Sequence, residues 1–219
     1  MAPPIRTQIL EAAIRELARN GSEFFRTPEL CRRLHIARSL INHHFGSQLG
    51  LIAEATAVAY ERYVWQLKEA AEMQATPTAR LEAWMAEQSR WFVANRGIAV
   101  QLQMPHQVHV EIMREKFADR LLDSFKFNMA VLAVLVKGVQ HNEMLSLDFD
   151  VQTAPFDELL SDDVSLLMRV GSVGMSALGA SVWSTGTNMP SRDLDVSYLQ
   201  TASQAQHAKW VVRALTSGS

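Results

Sequence analysis

The sequence has few of the features that mark secreted, membrane-spanning or catalytic proteins. Its single cysteine, Cys31, excludes a disulfide within the chain. The longest uninterrupted apolar run, residues 129–136, is far shorter than the roughly 20 residues that a helix needs to cross a bilayer. No secretory signal, nucleotide-binding glycine motif or nucleophile elbow occurs. These absences predict a cytoplasmic protein without a membrane span, a cofactor or a catalytic site.

Helical periodicity is what the chain has in abundance. Of its 219 residues, 48% are hydrophobic and 20% charged, which is enough to bury a sizeable core. No strand pattern is longer than a few residues. We therefore predict an all-α protein with a small head, residues 1–48, and a larger helical body, residues 49–219.

Residues 9–53 predict three short helices, of which the last two form a helix-turn-helix. From Leu10 to Leu17, apolar residues recur at i, i+3, i+4 and i+7, which places them on one buried stripe. Thr27 is predicted to cap the second helix through its hydroxyl, and Pro28 suits the first helical position, where no N–H is needed.

The third helix, predicted from Ala37 to Phe45, has one apolar and one polar face. Ile41 and Phe45 lie one turn apart and point inward together. In the major groove, arginine can make two hydrogen bonds to guanine and asparagine two to adenine, while small hydroxyls reach phosphates. The polar face therefore predicts DNA recognition, and it carries Arg38, Ser39, Asn42 and His43.

Basic charge is concentrated at this same end of the chain. Residues 1–50 hold seven Arg, no Lys and four acidic residues, a net charge of +3. Residues 51–219 hold 14 basic and 19 acidic residues, a net charge of −5. Because neutralisation of phosphates supplies most non-specific DNA affinity, this asymmetry predicts that only the head touches nucleic acid.

The run from Ile9 to Ala53 resembles the N-terminal domain of TetR-like (tetracycline-repressor-like) transcriptional regulators. The other residues resemble that family only in length, in helical texture and in lacking any other motif. The residues that carry the resemblance are Gly21, Thr27, Leu30, Leu34, Ile36, Ile41 and Phe45, followed by Gly46 and Ser47.

The resemblance implies a homodimer in which the last two helices of each subunit form a four-helix interface. It also implies that helices 2 and 3 and the start of helix 4 touch a double-stranded DNA operator. The residues that would make these contacts are Thr27, Arg38, Ser39, Leu40, Asn42, His43, His44 and Gln48.

Three positions depart from the family pattern. His35 stands where the turn usually has glycine, so it must either adopt a left-handed conformation or distort the turn. Asn42 replaces the usual tyrosine, which changes the base edge that can be recognised. Gln48 replaces the usual lysine, which removes a charge that would pair with phosphate.

The body is predicted to contain a series of helices separated by Pro, Gly and Asn. Thr78 is expected to cap the second of them, and residues 142–163, rich in Asp and Ser, to form a loop. The predicted helices span residues 49–73, 79–95, a short stretch before Pro105, 106–117, 119 to about 140, 164–185 and 192–215.

Three glycines lie within nine residues in the segment 171–186. Each costs a helix roughly 0.5–1 kcal/mol relative to alanine, so we expect a compensating close approach by a neighbouring helix. Together with the resemblance, this predicts the dimer interface; the alternative is a loosely packed helix within one subunit. The predicted interface stripe consists of Ser172, Ser176, Gly179 and Trp183.

The body is also rich in large apolar side chains at helical spacing. Such residues usually form a core, yet between the helices of a bundle they also line apolar ligand cavities. We therefore predict a pocket for a small apolar or amphipathic effector. Its predicted lining residues are Trp84, Gln88, Trp91, Phe92, His109, Met113, Phe117 and Phe125.

Two further features are interpreted as structural. His106 and His109 lie one turn apart and, with His141 or Glu111, could bind zinc. Without a cysteine cluster nearby, we interpret the two histidines as surface or pocket-lining residues and predict no metal. Cys31, on the apolar side of the second helix, is interpreted as a packing residue and not as a redox sensor.

These observations together predict a ligand-responsive, sequence-specific DNA-binding regulator without enzyme activity. Its expected role is that of a repressor, which effector binding releases from a palindromic operator. The alternative is a helical small-molecule binding protein or enzyme with a vestigial DNA-binding head, and the departures at His35, Asn42 and Gln48 motivate it.

Overall fold

The computed structural model of this chain describes residues 3–103, 108–160, 165, 166, 168–174 and 197–216. Every regular element among them is an α-helix, which confirms the predicted fold class. Residues 165, 166 and 168–174 are helical as well. In chain order, the other helices are α1 (Ile5–Asn20), α2 (Thr27–Leu34), α3 (Arg38–Phe45), α4 (Gln48–Glu72), α5 (Pro77–Ala94), α6 (Arg96–Gln103), α7 (Val108–His141), α8 (Phe156–Leu160) and α9 (Ser197–Thr216).

The start of α2 differs from the prediction. The helix begins at Thr27 itself, follows Arg26, and has no side-chain cap. The Thr27 hydroxyl instead donates a hydrogen bond to the Gln48 side-chain oxygen. A tertiary partner on α4 has thus replaced the local one that the sequence suggested, and the cap prediction was wrong.

The start of α5 also differs by two residues. The helix begins at Pro77, and the Thr76 hydroxyl accepts a hydrogen bond from the Ala79 N–H at 3.2 Å. Because proline at the first helical position places the cap on the residue before it, Thr76 fills the role that was assigned to Thr78.

α7 is one helix where two were predicted. It runs unbroken for 34 residues, through the boundary expected near residue 118. Neither proline nor glycine occurs there, so nothing interrupts the backbone hydrogen bonding of the helix. The following loop, residues 142–163, was predicted to lack regular structure, yet it contains the short helix α8.

The chain forms two compact units. Unit 1 comprises Met1–Arg62 and Ala94–Leu122, and unit 2 comprises Tyr63–Val93 and Asp123–Ser219. α4 and α7 each contribute their first part to unit 1 and their second part to unit 2. The division predicted at residue 48 separates a DNA-binding head from an effector-binding body. It is a division by function, and it stays a prediction.

Unit 1 contains one contact that only glycine allows. A Cβ atom at Gly97, at the start of α6, would lie 2.0 Å from the carbonyl oxygen of Leu17 and 2.5 Å from the backbone nitrogen of Gly21. α6 therefore meets the end of α1 backbone to backbone. The largest fully buried side chains of unit 1 are Ile9, Leu17, Phe25, Leu30, Ile41, Leu51, Ile52 and Ile98.

Unit 2 has its core around α5, the end of α4 and the second part of α7. Its buried apolar side chains include Tyr63, Leu67, Leu81, Trp84, Met85, Phe127, Val131, Leu132 and Leu135. Among the helices that the structure describes, none is long and apolar enough to span a membrane.

Candidate nucleic-acid interface

The two sides of α3 differ as predicted. Ile41 and Phe45 are buried, at 0% and 6% exposure, and fix the helix to the core of unit 1. The guanidinium of Arg6 lies 5.1 Å from the centre of the Phe45 ring and donates to Glu54 at 2.6 Å. This contact, between the first turn of α1, α3 and α4, was not anticipated, because no local pattern links residues so far apart.

The turn between α2 and α3 adopts the first of the two conformations expected for His35. The residue is left-handed, with φ 53° and ψ 43°, and its backbone N–H donates to Arg32. The N–H of Ile36 donates to the Cys31 carbonyl at 3.0 Å, which satisfies an oxygen that the helix end leaves free. A left-handed histidine thus supports the turn in place of glycine.

The polar face of α3 is available to a partner. Arg38, Ser39, Asn42 and His43 are exposed, while Leu40 and His44 are half-buried. The rings of His43 and His44 lie 4.9 Å apart, edge to face. Within the part of the chain that the structure describes, neither the Arg38 guanidinium nor the Asn42 amide has a hydrogen-bond or ion-pair partner, so their donors remain free.

Thr27 and Gln48 form a linked pair beside this face. Thr27 is only 1% exposed, and its hydroxyl donates to the half-buried Gln48 amide oxygen at 2.5 Å. This bond holds the amide oxygen inward, which leaves the amide N–H groups of Gln48 as the outward donors. The Thr27 hydroxyl is therefore engaged within the protein, and its predicted DNA contact stays a prediction.

Most arginines of α1 and α2 are already paired. Arg32 donates to Glu29 at 2.6 Å, and Arg33 donates to Glu16 at 2.5 Å. The hydrogen bond from Arg32 lowers the pKa of the Glu29 carboxyl. These pairs offset part of the positive charge of the head, whereas Arg38 forms no ion pair among the described residues.

Cys31 is buried on α2, at 7% exposure. Burial raises the pKa of its thiol, although Arg38 opposes the shift. A protonated, buried thiol reacts slowly, which supports the interpretation of Cys31 as a packing residue.

Four of the predicted effector residues lie together in the interior of unit 2. Trp84, Gln88, Trp91 and Phe92 are buried on α5, at 1 to 6% exposure. Their neighbour Tyr63 was not among the predicted residues. Its hydroxyl donates to the Gln88 amide oxygen at 3.0 Å, and its ring lies 4.5 Å from that of Trp91. Tyr63 is one of several aromatic residues at apolar positions of α4, so the sequence pattern did not mark it as a member of this group.

The other predicted effector residues are not part of this group. Phe125 is 48% exposed, and half-buried Phe117 belongs to unit 1, where Arg120 lies over its ring. The side chains of His109 and Met113 lie outside the described structure, as does His106. Among the described residues, no three potential ligands are grouped closely enough to hold a metal ion.

The predicted dimer stripe is mostly outside the described residues. Ser172 is exposed, whereas Ser176, Gly179 and Trp183 are not described. The same helical stretch and α9 do border an open groove of about 380 Å³ in unit 2. Met168 and Trp210 line this groove and are 68% and 64% exposed. Large apolar side chains that are this exposed often mark an interaction surface.

Comparison with known proteins supports the prediction of a helix-turn-helix in the head. Residues 9–55 match the model of the family described as bacterial regulatory proteins, tetR family. No curated protein sequence matches this chain. Similar solved structures exist over the whole length, at 16% sequence identity or less in the three that follow.

The first is a transcriptional regulator of the TetR/AcrR family from Thermobifida fusca, with 16% identity, a TM-score of 0.60, and coverage of 95% of this chain and 96% of that one. The regulator FadR from Bacillus subtilis, in complex with stearoyl-CoA, has 15% identity, a TM-score of 0.58, and coverage of 97% and 98%. The ketosteroid transcriptional regulator KstR2 of Mycobacterium tuberculosis has 14% identity, a TM-score of 0.55, and coverage of 99% and 97%. The family model thus matches the helix-turn-helix head, and the fold of these regulators extends along nearly the whole chain.

Proposed function

We propose that this chain is a dimeric repressor that binds a palindromic DNA operator through α3 and is released by a small, largely apolar effector. The observation that carries the DNA-binding half is the polar face of α3, whose Arg38 and Asn42 side chains are exposed and unpartnered among the described residues. A bacterial operator lies in the cytoplasm, which is where we expect the protein to act.

The residues of the interface divide by chemistry. Arg38 suits guanine and Asn42 suits adenine, because each can make two hydrogen bonds to a purine edge. Ser39, His43 and His44 offer shorter donors for phosphates or bases, and Leu40 offers an apolar contact to a thymine methyl. Gln48 supplies an uncharged phosphate donor from the start of α4, and Thr27 fixes its orientation.

The groove of unit 2 supports the dimer. Met168 and Trp210 expose more than half of their side-chain surface there, beside buried Val173 and Val211. An apolar surface of this kind gains free energy when a second copy covers it. A dimer also presents two α3 helices to half-sites about 34–36 Å apart, which raises affinity well beyond that of one head.

The aromatic interior of unit 2 supports an apolar effector. Trp84, Trp91, Phe92 and Tyr63 are buried there, and Gln88 adds a polar group. Two structural relatives point to the same class: one is complexed with stearoyl-CoA, and the other is named for ketosteroids. Because α4 and α7 belong to both units, an effector that shifts either helix can favour a conformation that no longer fits the operator.

A mobility-shift assay on DNA from the upstream region of the gene, repeated over a range of salt concentrations, tests the DNA-binding half. We expect a specific complex whose affinity falls steeply as the salt concentration rises. Non-specific DNA should compete poorly with the operator for the protein. The alternative function, a binding protein or enzyme with a vestigial head, predicts no specific complex.

The dimer is tested with Trp210→Glu, and Met144→Glu serves as a control at an exposed methionine outside the groove. We expect Trp210→Glu to sediment as a monomer and to lose operator binding, while the control keeps both. A Trp210→Glu protein that remains dimeric and binds DNA normally would show that this groove is not the interface.

A further inference from the structure

Three buried side-chain atoms among the described residues have no hydrogen-bond partner: Nε of Arg80, the indole Nε1 of Trp84 and the amide Oδ1 of Asn128. All three belong to unit 2. An unpaired buried polar atom costs free energy and is uncommon in native proteins, so each one requires an explanation. The indole N–H is a donor and the amide oxygen an acceptor, which makes Trp84 and Asn128 complementary.

Arg80 has an explanation of its own. Its guanidinium is turned toward the start of α5, where it donates to the Leu145 carbonyl at 2.7 Å. There it borders a cavity of about 10 Å³ together with Pro77 and Gly138. That volume has room for about one water molecule, which can accept from Nε.

One contact and the division into units indicate how α5 and α7 are aligned. A Cβ atom at Gly138, near the end of α7, would lie 3.8 Å from that of Pro77, the first residue of α5. Ala94, the last residue of α5, and the first part of α7 both belong to unit 1. The start of α5 thus lies beside the end of α7, and we infer that the two helices run antiparallel. Residue 80 is therefore level with residue 135, and residue 84 with residue 131.

This alignment brings Trp84 and Asn128 to nearly the same level. Asn128 is three residues from the level of Trp84, a distance of about 4.5 Å along the axis. Asn128 and Leu135 share one face of α7, as Pro77 and Trp84 share one face of α5, because residues seven apart lie on the same side of a helix. Both polar side chains therefore lie on the facing sides of α5 and α7, at 1% and 6% exposure.

We propose that Trp84 and Asn128 bind the hydroxyl group of a neutral, otherwise apolar effector. The proposal rests on the proposed function and specifies the chemistry of its ligand. A hydroxyl oxygen accepts from the indole N–H of Trp84 while its hydrogen is donated to the amide oxygen of Asn128, so one group satisfies both atoms. Neither atom has a partner within the described protein, so both remain available to such a group.

The surroundings favour a neutral ligand over a carboxylate. The neighbours on the same sides of the two helices, Leu81, Val131 and Leu132, are fully buried and apolar. Two described cations of unit 2 have buried atoms: the Lys68 ammonium is paired with Glu72 at 2.5 Å, and the Arg80 guanidinium donates to the Leu145 carbonyl at 2.7 Å. An anionic group beside Trp84 would therefore be desolvated without an unengaged cation to compensate it.

The ligand-free protein gives the first test. Asn128→Leu replaces an unpaired acceptor by an apolar group of similar size, so the melting temperature should rise, by about 2–4 °C. Gln88→Leu is the matched control, because it removes the bond to the Tyr63 hydroxyl and should lower the melting temperature. A fall for Asn128→Leu comparable with that for Gln88→Leu would mean that Asn128 is already satisfied, and would overturn the proposal.

The second test measures binding of 2-naphthol, 2-naphthoate and naphthalene by calorimetry. These probes share one skeleton and differ in carrying a hydroxyl, a carboxylate or neither. We expect 2-naphthol to bind about ten-fold more tightly than the other two. In Asn128→Leu and in Trp84→Phe this preference should fall to about two-fold or less, while naphthalene affinity is kept in Asn128→Leu.

Equal affinity for the three probes, tighter binding of 2-naphthoate, or no binding of 2-naphthol would each overturn the proposal. Operator binding by the ligand-free protein is measured in parallel. A protein that binds its operator but not 2-naphthol keeps the proposed function and loses this inference. A protein that binds 2-naphthol with the expected preference but binds no operator keeps this inference and loses the proposed function.

Discussion

The recognition helix α3 and the buried segment of α7 show two opposite uses of a helix. Of the eight residues of α3, only Ile41 and Phe45 are buried. In α7, nine of the ten residues from 127 to 136 are buried. A helix with a narrow apolar stripe lies on the surface, whereas one that is apolar all round lies in the interior.

Substitutions in the two helices should therefore have different consequences. Side chains on the polar face of α3 are exposed, so packing does not fix their identity. Side chains of α7 between 127 and 136 are held by packing, so a change there alters stability first.

The largest effect is expected for Phe127→Ala. Phe127 is fully buried, and its ring centre lies 4.8 Å from that of Trp65 and 5.9 Å from that of Phe149. Its truncation should lower the free energy of unfolding by about 3–5 kcal/mol, measured by urea denaturation. Phe125→Ala, two residues away but 48% exposed, is the control and should cost less than about 1 kcal/mol. Similar losses of unfolding free energy in the two variants would show that burial at position 127 does not determine stability.

Gly97→Ala should cost about 1–3 kcal/mol, because the new Cβ would press on the backbone of Leu17 and Gly21. Gly171→Ala is the control, since nothing lies within 4 Å of its Cβ position, and alanine there should stabilise the helix by about 0.5–1 kcal/mol. Urea denaturation of both proteins checks the opposite signs. A Gly97→Ala protein as stable as the wild type would mean that α1 and α6 can separate without loss.

Asn42→Ala should leave the free energy of unfolding within about 0.5 kcal/mol of wild type, because the side chain is exposed. Discrimination against one altered operator base pair should drop by about 1–3 kcal/mol, as measured by titration of operator variants. Arg38→Ala should weaken specific binding similarly, at a different base pair. Unchanged preferences in Asn42→Ala would mean that another face of α3 meets the bases.

The smallest change is expected for Gln48→Lys, which restores a phosphate-pairing charge. The slope of log affinity against log salt should steepen by about 1 for each head. Gln48→Met is the control, because both variants remove the acceptor for the Thr27 hydroxyl but only lysine adds charge. Equal slopes for the two variants would place residue 48 away from the phosphates.

Much of the head could be predicted from the sequence. The end of α3, the inward positions of Ile41 and Phe45, and the two alternatives for His35 all depend on residues within a few positions of one another. Local periodicity and turn chemistry therefore carry that information. The buried aromatic residues of α5 could be predicted for the same reason.

Contacts between distant residues were not accessible in this way. The pairing of Thr27 with Gln48, the glycine contact of α6 with α1, the addition of Tyr63 to the α5 aromatics and the groove beside Trp210 each join segments that are far apart in the chain. No periodicity encodes which distant residue will meet a given side chain.

The sequence by itself determined the helical class, the helix-turn-helix and the charge asymmetry of this protein, because these follow from local propensity and composition. Tertiary structure alone decided which polar groups find partners. In the sequence, Trp84 and Asn128 are ordinary residues of amphipathic helices, and only the packed structure buries the indole N–H of one and the amide oxygen of the other without a hydrogen-bond partner. The physical reason is that burial and hydrogen-bond satisfaction are properties of the packed chain, which depend on every neighbour at once.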